Sequence, residues 1–314
     1  MEKEAIIGVD IGTAGVRAIA FTERFEKISS LYLEHSTISQ KEDQAEQDAE
    51  EIYKNLIICL KEVSKSCNKV LGISFSSVFH SLVGIDKEGN PLTPLYPFTD
   101  LRAREMADII KKELPDFYIR TGCPPHPIYP AAKILWLREK NPSIFKKIRK
   151  FTSIKSYILG KLTGNFVEDT SVASGSGLLN IHSLLWDKKV LDFLCLKEEN
   201  LPFVVEATKP HFMKKVPSIE KLEGVPVYPG GGDGVLSHLA SGGLKKGRVS
   251  STVGSSGAIR IAVKKPFLHP KQSTWCYHLY KNWWISGGAI NNGGLALRWL
   301  RDKLFPWQVE EAKK

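Results

Sequence analysis

Alternation opens the chain. In IIGVDIGTAGVRAIAF (residues 6–21), apolar side chains recur at every second position on both sides of a Gly-Thr-Ala-Gly stretch. That pattern predicts two strands, 6–11 and 16–22, joined by a tight glycine turn. Downstream, EQDAEEIYKNLIICLKEVSKSC sets Ile52, Leu56, Leu60 and Val63 at helical spacing, with acids in the first turn where the helix dipole favours them. KVLGISFSS reads as a strand and GIDKEGNPLTP as a turn rich in Gly, Asn and Pro. Helices are expected near 103–114, 130–140 and 186–194. VPVYPGGGDGVLSHLASGG reads as strand, glycine loop and helix, closed by Gly242-Gly243. Alternation returns in RVSSTVGSSGAIRIAV, followed by strands near 274–279 and 283–287 and a helix over about 292–304.

The strand-turn-strand unit therefore occurs twice, at 6–21 and 248–263, and mixed strands and helices follow each copy. This predicts an α/β protein of two related domains with a boundary near 246. Residues 246–314 are too few to complete a domain matching the first. Low-complexity segments and short repeats are absent.

Composition narrows the class. Of 314 residues, 42% are apolar and 25% charged, the balance of a soluble globular protein. No apolar run approaches the ~18 residues of a membrane span, and no signal-peptide pattern is present at the start. Five cysteines (59, 67, 123, 195, 276) are odd in number and lack C-x-x-C spacing. That argues for a reducing cytoplasm and against a disulfide framework or a zinc site. The net charge of +10 comes largely from separated pairs such as Lys111-Lys112 and Lys245-Lys246, without interleaved aromatics. Such pairs fit solvated faces or a field that attracts an anionic substrate, and nucleic acid is not expected as a partner.

Three stretches carry candidate chemistry. Asp10 sits inside an apolar strand, where an isolated buried carboxylate is costly. It either bonds the amides of the turn or ligates a hydrated magnesium ion carrying nucleotide phosphate, because magnesium keeps most of its waters and takes one or two carboxylates. Gly12 and Gly15 let the backbone approach an anion. Thr13 adds a hydroxyl donor, and the charge of Arg17 can reach back. TVGSSGA (252–258) is either an ordinary hairpin turn or a second phosphate clasp opposite the first. Neither a P-loop nor a G-x-G-x-x-G motif is present. In GGGDG (230–234) a helix begins near Asp233, and its dipole favours an ionised carboxylate able to accept a proton. The alternative is a helix cap with a flexible lead-in.

In this order and spacing the three pieces resemble the FGGY carbohydrate kinases. So do AEQDAEEIY, ISFSSVFHSLVGID, GNPLTP, TDLRA, KILWL, LTGNFVEDTSVASGSGLLN and INNGGLALRWLRD. FSSVFHSL, RTGCPPHPIYPAAKILWL and GGAINNGGLALRWLRD are most similar to the gluconokinase branch. The resemblance implies the actin-like ATPase (ribonuclease H-like) fold, with mixed sheets flanked by helices and a truncated second domain. Residues 1–245 would form the N-terminal domain and 246–314 the start of the C-terminal one. Asp10, Gly12, Thr13 and Arg17 would belong to the first phosphate motif, with Asp10 organising magnesium through water. Gly254 and Ser255 would belong to the second. Asp233 would be the catalytic base and touch substrate, His80 would bind sugar, and Asp100 and Arg102 would bind substrate hydroxyls.

The implied reaction is ATP- and Mg2+-dependent phosphorylation of a terminal hydroxyl, D-gluconate to 6-phospho-D-gluconate, in the cytoplasm. Gluconate also needs a cation. Arg102 is the first candidate, because a guanidinium pairs with a carboxylate in two places; Lys133 and His126 follow. Asp169 is expected to fix a loop, and Trp283 and Trp284 to pack. Xylulose, glycerol or another polyol are the alternative substrates, and a non-catalytic sugar-binding pseudokinase is the alternative class. An actin-like filament or chaperone ATPase leaves GGGDG, SVFHSL and TDLRA unexplained together. Three departures from the family pattern stand out. Phe98 stands where the family often has tryptophan, GSSG replaces Gly-Thr-Ser-Gly, and the adenosine-binding stretch lies beyond this chain. The truncation implies low adenine affinity, exposed apolar surface and self-association.

Overall fold

The computed structural model describes residues 4–245, 247–253, 257–290 and 294–304. Strands β1 (Glu4–Ile11), β2 (Gly15–Phe21) and β3 (Lys27–Glu34) form a meander, then α1 (Ala49–Lys65) crosses over to β4 (Lys69–Ser77). Next come β5 (Val83–Ile85), α2 (Arg104–Glu113), α3 (Phe117–Thr121), α4 (Pro130–Lys140), α5 (Pro142–Phe145), β6 (Lys150–Thr152), α6 (Ile154–Thr163), β7 (Val167–Asp169), α7 (Thr170–Ser174) and α8 (Lys188–Phe193). The chain returns through β8 (Phe203–Val205) and β9 (His211–Phe212) to β10 (Pro226–Gly232) and α9 (Asp233–Ala240). A second sheet follows: β11 (Val249–Val253), β12 (Gly257–Val263), β13 (Trp275–Tyr280) and β14 (Trp283–Ile290), then α10 (Gly294–Leu304).

The first sheet has the order β3-β2-β1-β4-β10-β9. Its centre is parallel, β1 to β4 and β4 to β10, while β2, β3 and β9 run antiparallel to their neighbours. Alternation explains its faces. Ala5, Ile7, Val9 and Ile11 are buried, whereas Ile6 and Asp10 between them are exposed. The buried face packs on α1, whose Ile52, Leu56, Leu60 and Val63 point inward as their spacing predicts, and on α6. Asp48 caps α1 by accepting from the Glu50 amide at 2.8 Å.

The second sheet has the order β11-β12-β14-β13. It does not stand apart from residues 1–245. Tyr277, Leu279 and Ile285 share a core with residues of α2, α3 and α4. Cys276 N–H donates to Gly122 O at 2.9 Å, and His278 N–H to Ser174 Oγ at 2.9 Å. Its outer face carries exposed Val249, Val253, Ile259, Ile261 and Ile290, and Trp299, Leu300 and Leu304 of α10 are exposed as well.

Candidate active site

The C-terminal ends of three parallel strands meet at one edge. Asp10 of β1 is in register with Ser76 of β4, and Ser76 with Gly231 of β10. Two strand spacings put Asp10 and Gly231 roughly 10 Å apart along the backbone, and Asp233 follows Gly232 directly. Asp10 is therefore no buried charge. It lies on the open face, between two buried neighbours.

The turn after β1 is closed by Gly12 N–H donating to Gly15 O at 2.9 Å. The Thr13 carbonyl is pinned from behind by His35 Nε2 at 3.0 Å and Gln47 Nε2 at 2.8 Å. In a trans peptide the Ala14 N–H of the same unit then points the opposite way, away from these two side chains. Arg17 departs from expectation. Its guanidinium sits 5.0 Å from the Tyr32 ring centroid, and no ion pair joins it to Asp10 among the described residues. The ring face offers a polarisable seat on the neighbouring strand. Gly254 and Ser255 of the second phosphate motif lie outside the described residues.

Asp233 is the first residue of α9, and the three glycines before it end β10 rather than forming a loop. Packing requires them. Gly230 has φ +63°, and a Cβ there would lie 1.9 Å from Phe75 O. At Gly232 it would lie 2.1 Å from the Phe79 ring. Gly230→Ala is expected to cost at least about 2 kcal/mol, read as a lower urea midpoint at unchanged slope. Ser171 Oγ of α7 accepts the Gly232 N–H at 3.1 Å and Asp233 Oδ1 accepts the Gly234 N–H at 2.6 Å.

The carboxyl of Asp233 is open to a cleft and walled by protein elsewhere. Burial pushes it up to about 6 against the pull of the Gly234 amide, the Asp10 carboxylate adds to the rise, and Arg260 and Lys155 oppose it. Desolvation thus outweighs the helix dipole that the sequence puts first. The exposed Asp10 carboxylate at that edge fits a magnesium ion held largely by water, which takes as few as one carboxylate, and no cluster of three metal-ligating side chains occurs among the described residues.

The cleft has a volume of about 580 Å³ and is lined by His80, Phe98, His126, Tyr129, Asp233 and Arg260, among others. His80 adopts φ +65°. Its Nδ1–H donates to Gly175 O at 2.6 Å, and its ring meets Tyr129 and Tyr277 edge-on at 5.0 and 5.7 Å. Burial lowers its pKa to about 3, so the ring is neutral and Nε2 carries a lone pair. Behind it, buried Lys133 donates to the carbonyls of Pro97, His80 and Tyr96 at 2.6, 3.1 and 3.4 Å. Burial lowers Lys133 to about 7. It braces the His80 loop and is not a cation facing substrate.

Asp100 and Arg102 also take a different role from the one expected. Asp100 is fully buried and accepts from Ala45 N at 2.9 Å and from Arg102 Nε at 2.8 Å. Arg102 Nη2 pairs with Glu46 at 2.7 Å, and the guanidinium lies between the rings of Tyr96 and Trp136 at 4.7 and 5.1 Å. A guanidinium taken out of water needs carboxylate partners, and here it has two. The pair is a brace, and neither member lines the cleft that Asp233 opens on.

His126 does line it. Its Nδ1 accepts the Ile128 N–H at 3.3 Å, which leaves Nε2–H as a donor. Burial lowers its pKa, and so does the charge of nearby Arg104. Arg104 and His126 together line a recess that continues the cleft past Phe98. Asp169 does fix a loop: it caps α7 by accepting from Ser171 N and Val172 N at 2.9 and 3.1 Å, and it pairs with buried Lys155. Three charges near the cleft were not singled out in the sequence: Arg260, which lines it, Arg104, which lines its recess, and Lys155, whose charge acts on Asp233. Alternation was a signal for one of them, since Ala258, Arg260 and Ala262 share a face of β12.

Comparison with known proteins agrees with this architecture. Residues 5–240 match the FGGY family of carbohydrate kinases, N-terminal domain. The chain is 35% identical over 317 residues to a gluconokinase of Bacillus subtilis (strain 168), covering 98% of this chain and 62% of that protein. It is 27% identical to a xylulose kinase of Staphylococcus xylosus, covering 94% of this chain and 63% of that protein. Among solved structures, a ligand-bound xylulose kinase from Lactobacillus acidophilus superposes with a TM-score of 0.93 at 33% identity, over 96% of this chain and 63% of that one. A gluconate kinase from the same organism gives 0.92 at 33%, with the same coverage. The chain thus spans a little under two thirds of the length of these relatives, and no described helix is long and apolar enough to cross a membrane. With its actin-like ATPase fold and the matching first domain, the chain belongs to the FGGY family of carbohydrate kinases.

Proposed function

We propose that this chain carries the sugar site and the base of an ATP-dependent kinase that converts D-gluconate to 6-phospho-D-gluconate. The observation that carries the reading is Asp233, held at a helix start in one cleft with His80 and faced by Asp10 across the strand ends. Bound ATP with magnesium would supply the phosphoryl group and spread its charge, with Asp10 holding the metal through water. Asp233 takes the proton of the C6 hydroxyl as its oxygen bonds to phosphorus, and the electron pair of the broken P–O bond leaves with ADP. The Nε2 lone pair of His80 accepts from a sugar hydroxyl. Arg104 and His126 Nε2–H, at the far end of the cleft, hold the carboxylate.

With Arg102 and Lys133 occupied internally, Arg104 is the cation for the acid end. Arg104→Ala is expected to weaken gluconate binding roughly 10- to 100-fold, the worth of a bond to a charged group, and to leave xylulose within twofold by calorimetry. A phosphorylation assay with gluconate, xylulose and glycerol tests the substrate. Preference for gluconate supports the reading. Turnover of xylulose alone would replace it with the second reading, which the likeness to the xylulose kinase from Lactobacillus acidophilus favours. Self-association through the exposed outer face of the second sheet is read by size-exclusion chromatography, where a concentration-independent monomer counts against it.

A further inference from the structure

Arg260 lies on the face of β12 turned toward α9, between the small side chains of Ala258 and Ala262. Its Nη1 donates to Thr252 Oγ1 at 3.0 Å. Its Nε is buried and has no hydrogen-bond partner among the described residues. A Cβ on Gly234 would sit 3.2 Å from Nη2 and 3.3 Å from Nε, so the fork presses on the backbone immediately after Asp233. Leaving a guanidinium N–H buried and unpaired is costly, and the group lines the cleft within the field of the Asp233 carboxylate. A cation with spare donors beside the base, delivered by the second sheet, suits an anion that enters the cleft only with the reaction.

We propose that Arg260 is a further catalytic residue, its guanidinium donating to the phosphoryl oxygens as the group passes to the hydroxyl that Asp233 deprotonates. Charge builds on those oxygens during transfer, and a fixed guanidinium is suited to them. The role rests on the kinase reading above but not on the identity of the sugar.

The probes are gluconate, 6-phosphogluconate and inorganic phosphate, measured by calorimetry on the full chain. Arg260→Ala should weaken 6-phosphogluconate and phosphate about 10- to 100-fold and leave gluconate within twofold. Arg260→Lys should restore part of that loss, because an ammonium keeps the charge and loses the fork. Arg260→Gln, close in length, replaces the alanine variant if that fails to fold, as judged by circular dichroism. Equal weakening of gluconate and 6-phosphogluconate, or no change in either, would overturn the proposal. If the wild type ignores gluconate and 6-phosphogluconate yet binds phosphate in an Arg260-dependent way, the sugar assignment falls and the role of Arg260 stands.

Discussion

Asp233→Asn is expected to lower phosphoryl transfer roughly 10²- to 10⁴-fold, the range for loss of a general base, with gluconate affinity changed little. The amide oxygen of the variant can still accept the Gly234 N–H, so the start of α9 is preserved while the proton acceptor is lost. The pH profile gives an independent readout. The unliganded Asp233 carboxyl is pushed up to about 6, so it is protonated and idle below that value and ionised above it. The rate of the parent protein should therefore rise with pH on its acid side. A magnesium ion at Asp10 draws that limb to lower pH, because a nearby cation favours the carboxylate. The residual rate of Asp233→Asn should lack the limb altogether. An unchanged rate, or a limb that survives the substitution, would remove Asp233 from the chemistry.

Lys155→Met should cause the largest loss of stability. Lys155 is fully buried and pairs with fully buried Asp169, with Glu168 at 4.0 Å. Burial raises Glu168, and the charge of Lys155 opposes that rise. Removing one partner of a buried pair costs roughly 3–5 kcal/mol, which for a chain of this size is a fall in melting temperature on the order of 10 °C. The site should suffer too. Asp169 caps α7, and Ser171 of α7 takes the Gly232 N–H next to the base. Adding Asp169→Asn keeps a cap and deletes the stranded charge, so the double variant should recover most of the loss. A single variant less than about 1 kcal/mol below the parent, by denaturant unfolding, would show that the pair is not structural.

Elements with one buried face were legible in the sequence. The hairpin at 6–21 alternates, and the helices at 49–65 and 104–113 bury residues at helical spacing. Helix α6 escaped because nine of its ten residues are buried, Lys155 and Ser156 included, which erases the polar stripe that marks a helix. The glycines before Asp233 read as a loop because glycine is rare in strands. Contact with the Phe75 backbone and the Phe79 ring overrides that preference. Asp10, His80 and Asp233 could be named as candidates because motif and spacing mark them. The ion pairing of Arg102 was not legible for a physical reason: Glu46, which neutralises it, lies 56 residues away in sequence. Lys155 was passed over as an ordinary charge, since only folding shows that it loses its water, and Arg104, which stays exposed, was passed over because only folding brings it beside His126.

On the proposed reading Asp10 and Asp233 serve one cleft, Asp10 on the side of the metal and Asp233 on the side of the sugar. A crystal structure with gluconate, magnesium and a non-hydrolysable ATP analogue tests it most directly. The expected result is the C6 hydroxyl within about 3.2 Å of the Asp233 carboxylate, a magnesium-bound water on Asp10, and the sugar carboxylate at Arg104 and His126. Gluconate seated elsewhere, or a metal remote from Asp10, would contradict it.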